Sequence, residues 1–179
     1  SAGLTTLDWR KEAMQWRARV ESLRHWQQAA GWPDVSDAGW LAGLDLWLAP
    51  FIGDVRSLKG LSRLDLGRIL ENLLDWSQKQ GLDRLAPAAL GLPSGSVRPL
   101  RYALDGSPRV LAVRLLELFG MTQTPRVCDG AVGIVLHLLS PAQRPIQITQ
   151  DLAGFWERTY PEVRKELAGR YPKHYWPSD

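Results

Sequence analysis

From Trp9 to Ala30 the apolar residues Trp9, Ala13, Trp16, Val20, Leu23, Trp26 and Ala30 recur three or four apart without a break. Only an α-helix gathers that spacing onto one face, so the chain is expected to begin with an amphipathic helix. Gly31 and Pro33 stop it. Arg10, Arg17 and Arg24 lie seven apart on an adjacent stripe, with Glu21 four residues beyond Arg17. This stripe reads as a solvated face with snorkelling stems. Seven of the nine tryptophans precede residue 77: Trp9, Trp16, Trp26, Trp32, Trp40, Trp47 and Trp76. At helical periodicity they are expected to pack between helices, base-stacking platforms being the alternative.

The periodicity then predicts a second helix from Ser36 or Asp37 to about Ala49, ended by Pro50. A third, "DLGRILENLLDWSQKQG", directs Leu66, Ile69, Leu70, Leu73 and Leu74 inward and finishes at Gly81. Beyond residue 90 the pattern changes. "LPSGS" at 92–96 is a loop, and "VRPLRYALDGSPRVLAVRL" reads as two strands joined across Asp105-Gly106, with Pro99 confining the first to an edge. "LLELFG" reads as a short helix ending at Gly120. "AVGIVLHLLS", apolar on both faces, is a central strand, and "PIQIT" a half-buried one. Thr149 with Asp151 opens one helix, and a Thr159-x-x-Glu162 capping box another that ends at Gly169. The expected fold class is α+β: a helical subdomain, 1–90, then a small antiparallel sheet with flanking helices and an extended tail, 91–179.

Charge is unevenly spread. Residues 1–90 carry 11 basic and 11 acidic side chains, whereas 91–179 carry 11 against 8, so the net +3 resides in the second part. That points to a polyanion partner there, although a surface merely kept soluble by mixed charge is the commoner meaning of a net charge of +3. The single cysteine, Cys128, excludes an internal disulfide and favours a reducing, cytoplasmic compartment. No apolar run reaches the length of a membrane span, and no signal pattern opens the chain. Its first residue is Ser, as in a processed protein or a fragment.

Chemistry-bearing motifs are few. There is no Gly-x-x-x-x-Gly-Lys-Ser/Thr loop and no Asp-Glu dipeptide, and "GLPSGS" lacks the strand-then-helix setting of a dinucleotide fingerprint. His25, His137 and His174 have no second donor at metal-ligand spacing. His137 reads as a hydrogen-bonded core histidine. A Cys128–His137 nucleophile pair has no third group to orient it. The chain alone is expected to be no enzyme, with no catalytic or metal-binding residue and no cofactor of its own.

The more informative feature is basic residues interleaved with aromatics. Arg98, Arg101, Arg109 and Arg114 surround the expected hairpin, and Arg158, Arg164, Lys165, Arg170 and Lys173 gather toward the end. In "GRYPKHYWPSD" (169–179) the cations could neutralise phosphates while His174, Tyr175 and Trp176 lie beside them, the Tyr171, Tyr175 and Trp176 rings offering faces for unpaired bases. The same tail could instead be a strap, its rings docked on the body and its prolines keeping it extended. The candidate nucleic-acid-binding residues are Arg170, Lys173, His174, Tyr175, Trp176, Arg98, Arg101, Arg164 and Lys165.

The run Ser140-Pro141-Ala142, Arg144-Pro145, Thr149, Asp151-Leu152, Phe155-Trp156, then Glu162-Val163-Arg164-Lys165-Glu166, Gly169-Arg170-Tyr171-Pro172-Lys173-His174 and Trp176-Pro177, resembles the C-terminal region of HrpB-type ATP-dependent RNA helicases. These are bacterial members of the DExH/DEAH-box group. "LAVRLLELFG", "LPSGS" and "GLTTLDW" are also similar, so the resemblance spans essentially the whole chain. Asp8, Leu116 and Gly133 depart from the family's usual proline, glutamine and proline. The resemblance implies an extension that follows RecA-like, winged-helix, ratchet-type and OB-like modules in a longer polypeptide using ATP and Mg. It implies single-stranded RNA and the helicase core of the same polypeptide as partners. The expected role is to assist RNA binding or to brace the core. A protein-interaction module, docking a partner through the Trp-rich helical half, is the alternative.

Overall fold

The structure, a computed structural model, describes residues 11–51 and 65–178. Trp9, Arg10, Asp8 and the similar segment at 3–9 lie outside the described residues. The fold is α+β, in two compact units: residues 1–86 with 102–107, and residues 87–101 with 108–179.

In the first unit, α1 (Lys11–Trp26) is followed by a 3-10 turn, Gln28–Ala30, that ends at Gly31 in the left-handed region (φ 71°). Ala13, Val20 and Leu23 are buried as the periodicity requires, while Trp16 and Trp26 are half-buried and Ala30 is exposed. The arginine stripe departs from its solvated reading. Arg17 is 1% exposed, its Nε donating to Val35 O at 2.5 Å and its guanidinium paired with Asp37. Asp37 lies in the next helix, so no local spacing announces the pair.

α2 (Asp37–Ala42) and α3 (Leu44–Trp47) replace the single expected helix, with a 3-10 turn, Ala49–Phe51, after them. Ser36 caps α2 by accepting from Gly39 N at 3.1 Å. Gly39 is needed because a Cβ there would lie 2.6 Å from Asp34 O. Trp40 and Trp47 stack at 4.1 Å, and Trp47 Nε1 donates to Trp40 O at 2.7 Å. Such a pair contributes about 0.5–1.5 kcal/mol beyond the area it buries.

The third expected helix also divides, into α4 (Leu66–Asn72) and α5 (Trp76–Leu85). An Asp75–Gln78 capping box starts the second one, which runs past Gly81. Of the tryptophans, Trp32, Trp40 and Trp47 are core residues, but Trp76 is 76% exposed, contrary to the packing expected of it.

The second unit holds β1 (Ala89–Gly91) and β2 (Val97–Pro99), an antiparallel hairpin turned by the 92–96 loop with Gly95 at φ 87°. No hairpin ladder forms across Asp105-Gly106, where only one bridge, Arg101↔Val110, remains. Side chains of α1 take the backbone groups a ladder would need. Gln15 bonds both the N–H and the C=O of Tyr102, Ser22 Oγ donates to Ala103 O, and Trp26 Nε1 donates to Gly106 O.

β3 (Val110–Arg114) instead pairs in parallel with β6 (Val135–Leu139), which pairs antiparallel with β7 (Pro145–Thr149). The sheet is therefore mixed, β6 central. A parallel pair needs a long crossover, here formed by the 3-10 turn Leu115–Leu118 and the small β4 (Arg126–Val127)–β5 (Val132–Gly133) pair. Leu111, Val113, Ile134, Leu136 and Leu138 form the core with Leu115, Leu118, Leu152 and Phe155.

After β7, Asp151 caps α6 (Leu152–Gly154) by accepting from Gly154 N at 2.9 Å. The Thr159–Glu162 capping box does not form. The helix runs on through a π turn, Phe155–Thr159, into α7 (Tyr160–Arg170), Tyr160 N–H reaching back five residues to Phe155 O. That wider turn carries Pro161, which has no N–H to give, through a continuous helix.

Candidate nucleic-acid interface

The tail leaves α7 with Tyr171 N–H donating to Leu167 O at 2.7 Å, and His174 N–H to Tyr171 O at 3.2 Å. Trp176 then turns inward and is 6% exposed. Its Nε1 donates to Tyr171 O at 3.1 Å, and its ring stands edge-on to Phe119 at 6.1 Å. Two groups hold the backbone on either side: Arg164 Nε donates to Trp176 O at 3.0 Å and Tyr160 OH to Pro177 O at 2.8 Å. Burial raises the Tyr160 pKa, which favours the protonated phenol that donates this bond.

The residues before this anchor point the other way. Lys173, His174 and Tyr175 are exposed, Tyr175 by 80%. Lys165 and Arg170 on α7 are exposed too, Arg170 lying 3.6 Å from Glu166. Surface pairs of that length hold an arginine weakly. The segment from Lys165 to Tyr175 thus offers three exposed cations and two exposed rings.

The nine candidates separate by this geometry. Arg170, Lys173, His174, Tyr175 and Lys165 are available to a ligand. Trp176 is an anchor, and half-buried Arg164 clasps the tail backbone. Arg98 donates through Nε and Nη2 to Glu117 Oε1 at 3.0 and 2.5 Å, and Glu117 also accepts from Arg114 N at 3.2 Å. Burial pushes the Glu117 carboxyl up, but Arg98, Ser96 and the Arg114 N–H outweigh it and leave it below the usual range. Arg101 is exposed, its carbonyl accepting from the Arg109 guanidinium. Among the described residues no hydrogen bond or ion pair joins Arg98 or Arg101 to the tail.

Phe119 and Tyr160, the tail's aromatic supports, escaped the sequence reading. They lie 57 and 16 residues from Trp176, and no periodic pattern links residues so placed. No group of three or more His, Cys, Asp or Glu among the described residues could hold a metal. Burial first, then the Asp129 charge, raises the Cys128 thiol pKa, which disfavours a thiolate nucleophile. His137 is half-buried, and no hydrogen bond reaches its ring among the described residues, in contrast to the bonded core histidine expected. No helix among the described residues is long and apolar enough to cross a membrane.

The family model described as ATP-dependent helicase C-terminal (HrpB_C) matches residues 47–179. The ATP-dependent RNA helicase HrpB of Escherichia coli K12 is 48% identical over 177 residues, 99% of this chain and 22% of that protein. The crystal structure of the E. coli DExH-box NTPase HrpB superposes with a TM-score of 0.91 at 48% identity, over 99% of this chain and 22% of that one. That of the E. coli DEAH/RHA helicase HrpB gives 0.79 at 46% identity, over 98% and 22%. The chain thus spans about a fifth of the length of the relatives it matches. With the mixed sheet and anchored tail in place, these matches establish that the chain belongs to the HrpB-type ATP-dependent helicase C-terminal family.

Proposed function

We propose that this chain is an accessory domain of an ATP-dependent RNA helicase, assisting RNA binding by presenting a rigid basic and aromatic tail to single-stranded RNA. The observation that carries the reading is the opposition within five residues of a buried Trp176 and an exposed Lys173, His174 and Tyr175. An anchored tail loses less conformational entropy on binding than a free one, so its cations and rings act at lower cost. Hydrolysis of ATP with Mg belongs to other parts of the parent polypeptide, whose core is the domain's intramolecular partner.

The test is fluorescence anisotropy of single-stranded RNA with this chain and with Tyr175→Ala. Loss of a stacked ring is expected to cost about 1–3 kcal/mol. An unchanged affinity removes Tyr175 from the interface. Absence of binding by the parent chain at low salt would overturn the RNA reading. A second reading has its own support. Leu46 and Trp76 are 83% and 76% exposed, and apolar side chains so exposed in the helical unit suit a protein-docking role, whether toward the helicase core or another protein.

A further inference from the structure

Phe119, Met121, Thr122, Trp156, Tyr160 and Pro177 line a cavity of about 260 Å³ within the second unit. Its walls are rings whose polar tips are already committed. Trp156 Nε1 donates to Met121 O at 2.7 Å, and Tyr160 OH to Pro177 O at 2.8 Å. What the two rings offer is therefore π surface. They stand edge to face at 5.1 Å, with Phe119 at 5.8 and 5.9 Å from them. The π turn, a feature often found at functional sites, brings Trp156 and Tyr160 to this wall. The cavity falls below the ~300–1,000 Å³ of drug-sized sites, a volume suited to one planar ring system.

We infer that this cavity receives a single unpaired nucleobase of the RNA bound along the tail. The inference rests on the RNA reading above and names the part of the ligand that this surface takes. Charge selects a nucleotide over an uncharged proline-rich peptide, which aromatic walls also suit. The second unit carries 11 basic against 7 acidic side chains. Arg164 donates to Trp176 O, next to the Pro177 that lines the cavity, while Lys165, Arg170 and Lys173 follow on the same α7–tail segment. Glu162 and Glu166 on that segment, with Glu157 just before it, are outnumbered by these four cations. A base seated here is held mainly by stacking, with the Thr122 and Ser178 hydroxyls as the side-chain polar groups of the lining, so sequence preference is expected to be slight.

Thr122 is exposed at the cavity's rim, so Thr122→Phe fills the space without replacing a core side chain. Anisotropy is read for an oligoadenylate and for an abasic ribose-phosphate oligomer of equal length and charge. The parent chain is expected to favour the oligoadenylate by about five- to a hundredfold. Thr122→Phe, and separately Ser178→Trp at the exposed Ser178 that also lines the cavity, should remove a large part of that preference while leaving abasic binding and thermal midpoint unchanged. Parent-like preference in both variants overturns the cavity proposal and leaves the RNA reading standing. Equal binding of the two oligomers by the parent overturns the cavity proposal and the stacking on Tyr175, leaving contact through charge alone. Failure of the parent to bind either oligomer overturns the RNA reading, and the cavity proposal with it. An oligoproline peptide that shifts tryptophan fluorescence in the parent and not in Thr122→Phe would reassign the cavity to peptide.

Discussion

Buried charge in this chain is organised around arginines that the linear pattern places on the surface. Arg17, Arg19 and Glu21 of α1 are all under 10% exposed, Arg19 donating to Ala86 O at 2.6 Å and pairing with Asp83 at 2.5 Å. Glu21 accepts from Arg24 and from Val35 N at 3.1 Å. Apart from Arg24, three residues from Glu21, these partners lie 14 to 67 residues away and cannot be read from the spacing of the arginines alone. Glu117 shows the consequence for stability. Its pKa is lowered in the fold, so it binds its proton more weakly there than in the unfolded chain. Its stabilising contribution is present above the ordinary value of 4.5 and is lost as pH falls below it. Glu117→Gln should therefore lower the unfolding midpoint at pH 7. The gap to the parent should close as pH falls from 5 toward the acid limit of folding, followed by circular dichroism. A gap that persists unchanged in acid would show that Glu117 contributes by packing alone.

At the level of elements, local signals succeeded where they had no distant competitor. The first helix, the central strand β6 and the Gly31 stop follow from periodicity and turn chemistry. The Asp75–Gln78 capping box that splits the third helix is itself a local signal, hidden because the leucine pattern runs through it. The Asp105-Gly106 hairpin failed for another reason: Gln15, 87 residues upstream, captures the Tyr102 backbone. The parallel pairing of β3 with β6 is equally non-local. A strap with rings docked on the body is readable from the tail's composition, but not which ring docks, since the contact that buries Trp176 and leaves Tyr175 exposed is made with Phe119, 57 residues upstream. Removing that anchor should release the strap. Trp176→Ala is expected to cost about 3–5 kcal/mol and to make the bond after Lys173 the first tryptic cut. Equal cleavage rates in parent and variant would show that Trp176 does not hold the tail.

For the molecule as a whole, the second unit's charge excess and the tail's exposed cations give one testable electrostatic statement. Each phosphate neutralised on a single strand releases counterions and steepens the dependence of affinity on salt by about 0.7 in log–log slope. Stacking and strap packing leave that slope nearly unchanged, so it isolates the contribution of charge. The measurement that bears most directly on the account is this slope for single-stranded RNA, compared between the parent chain and Lys173→Ala. The expected slope is equivalent to a few released counterions, shallower by about 0.7 when Lys173 is lost. A slope that Lys173→Ala leaves unaltered, with binding otherwise intact, would contradict the claim that the anchored tail contacts the RNA backbone.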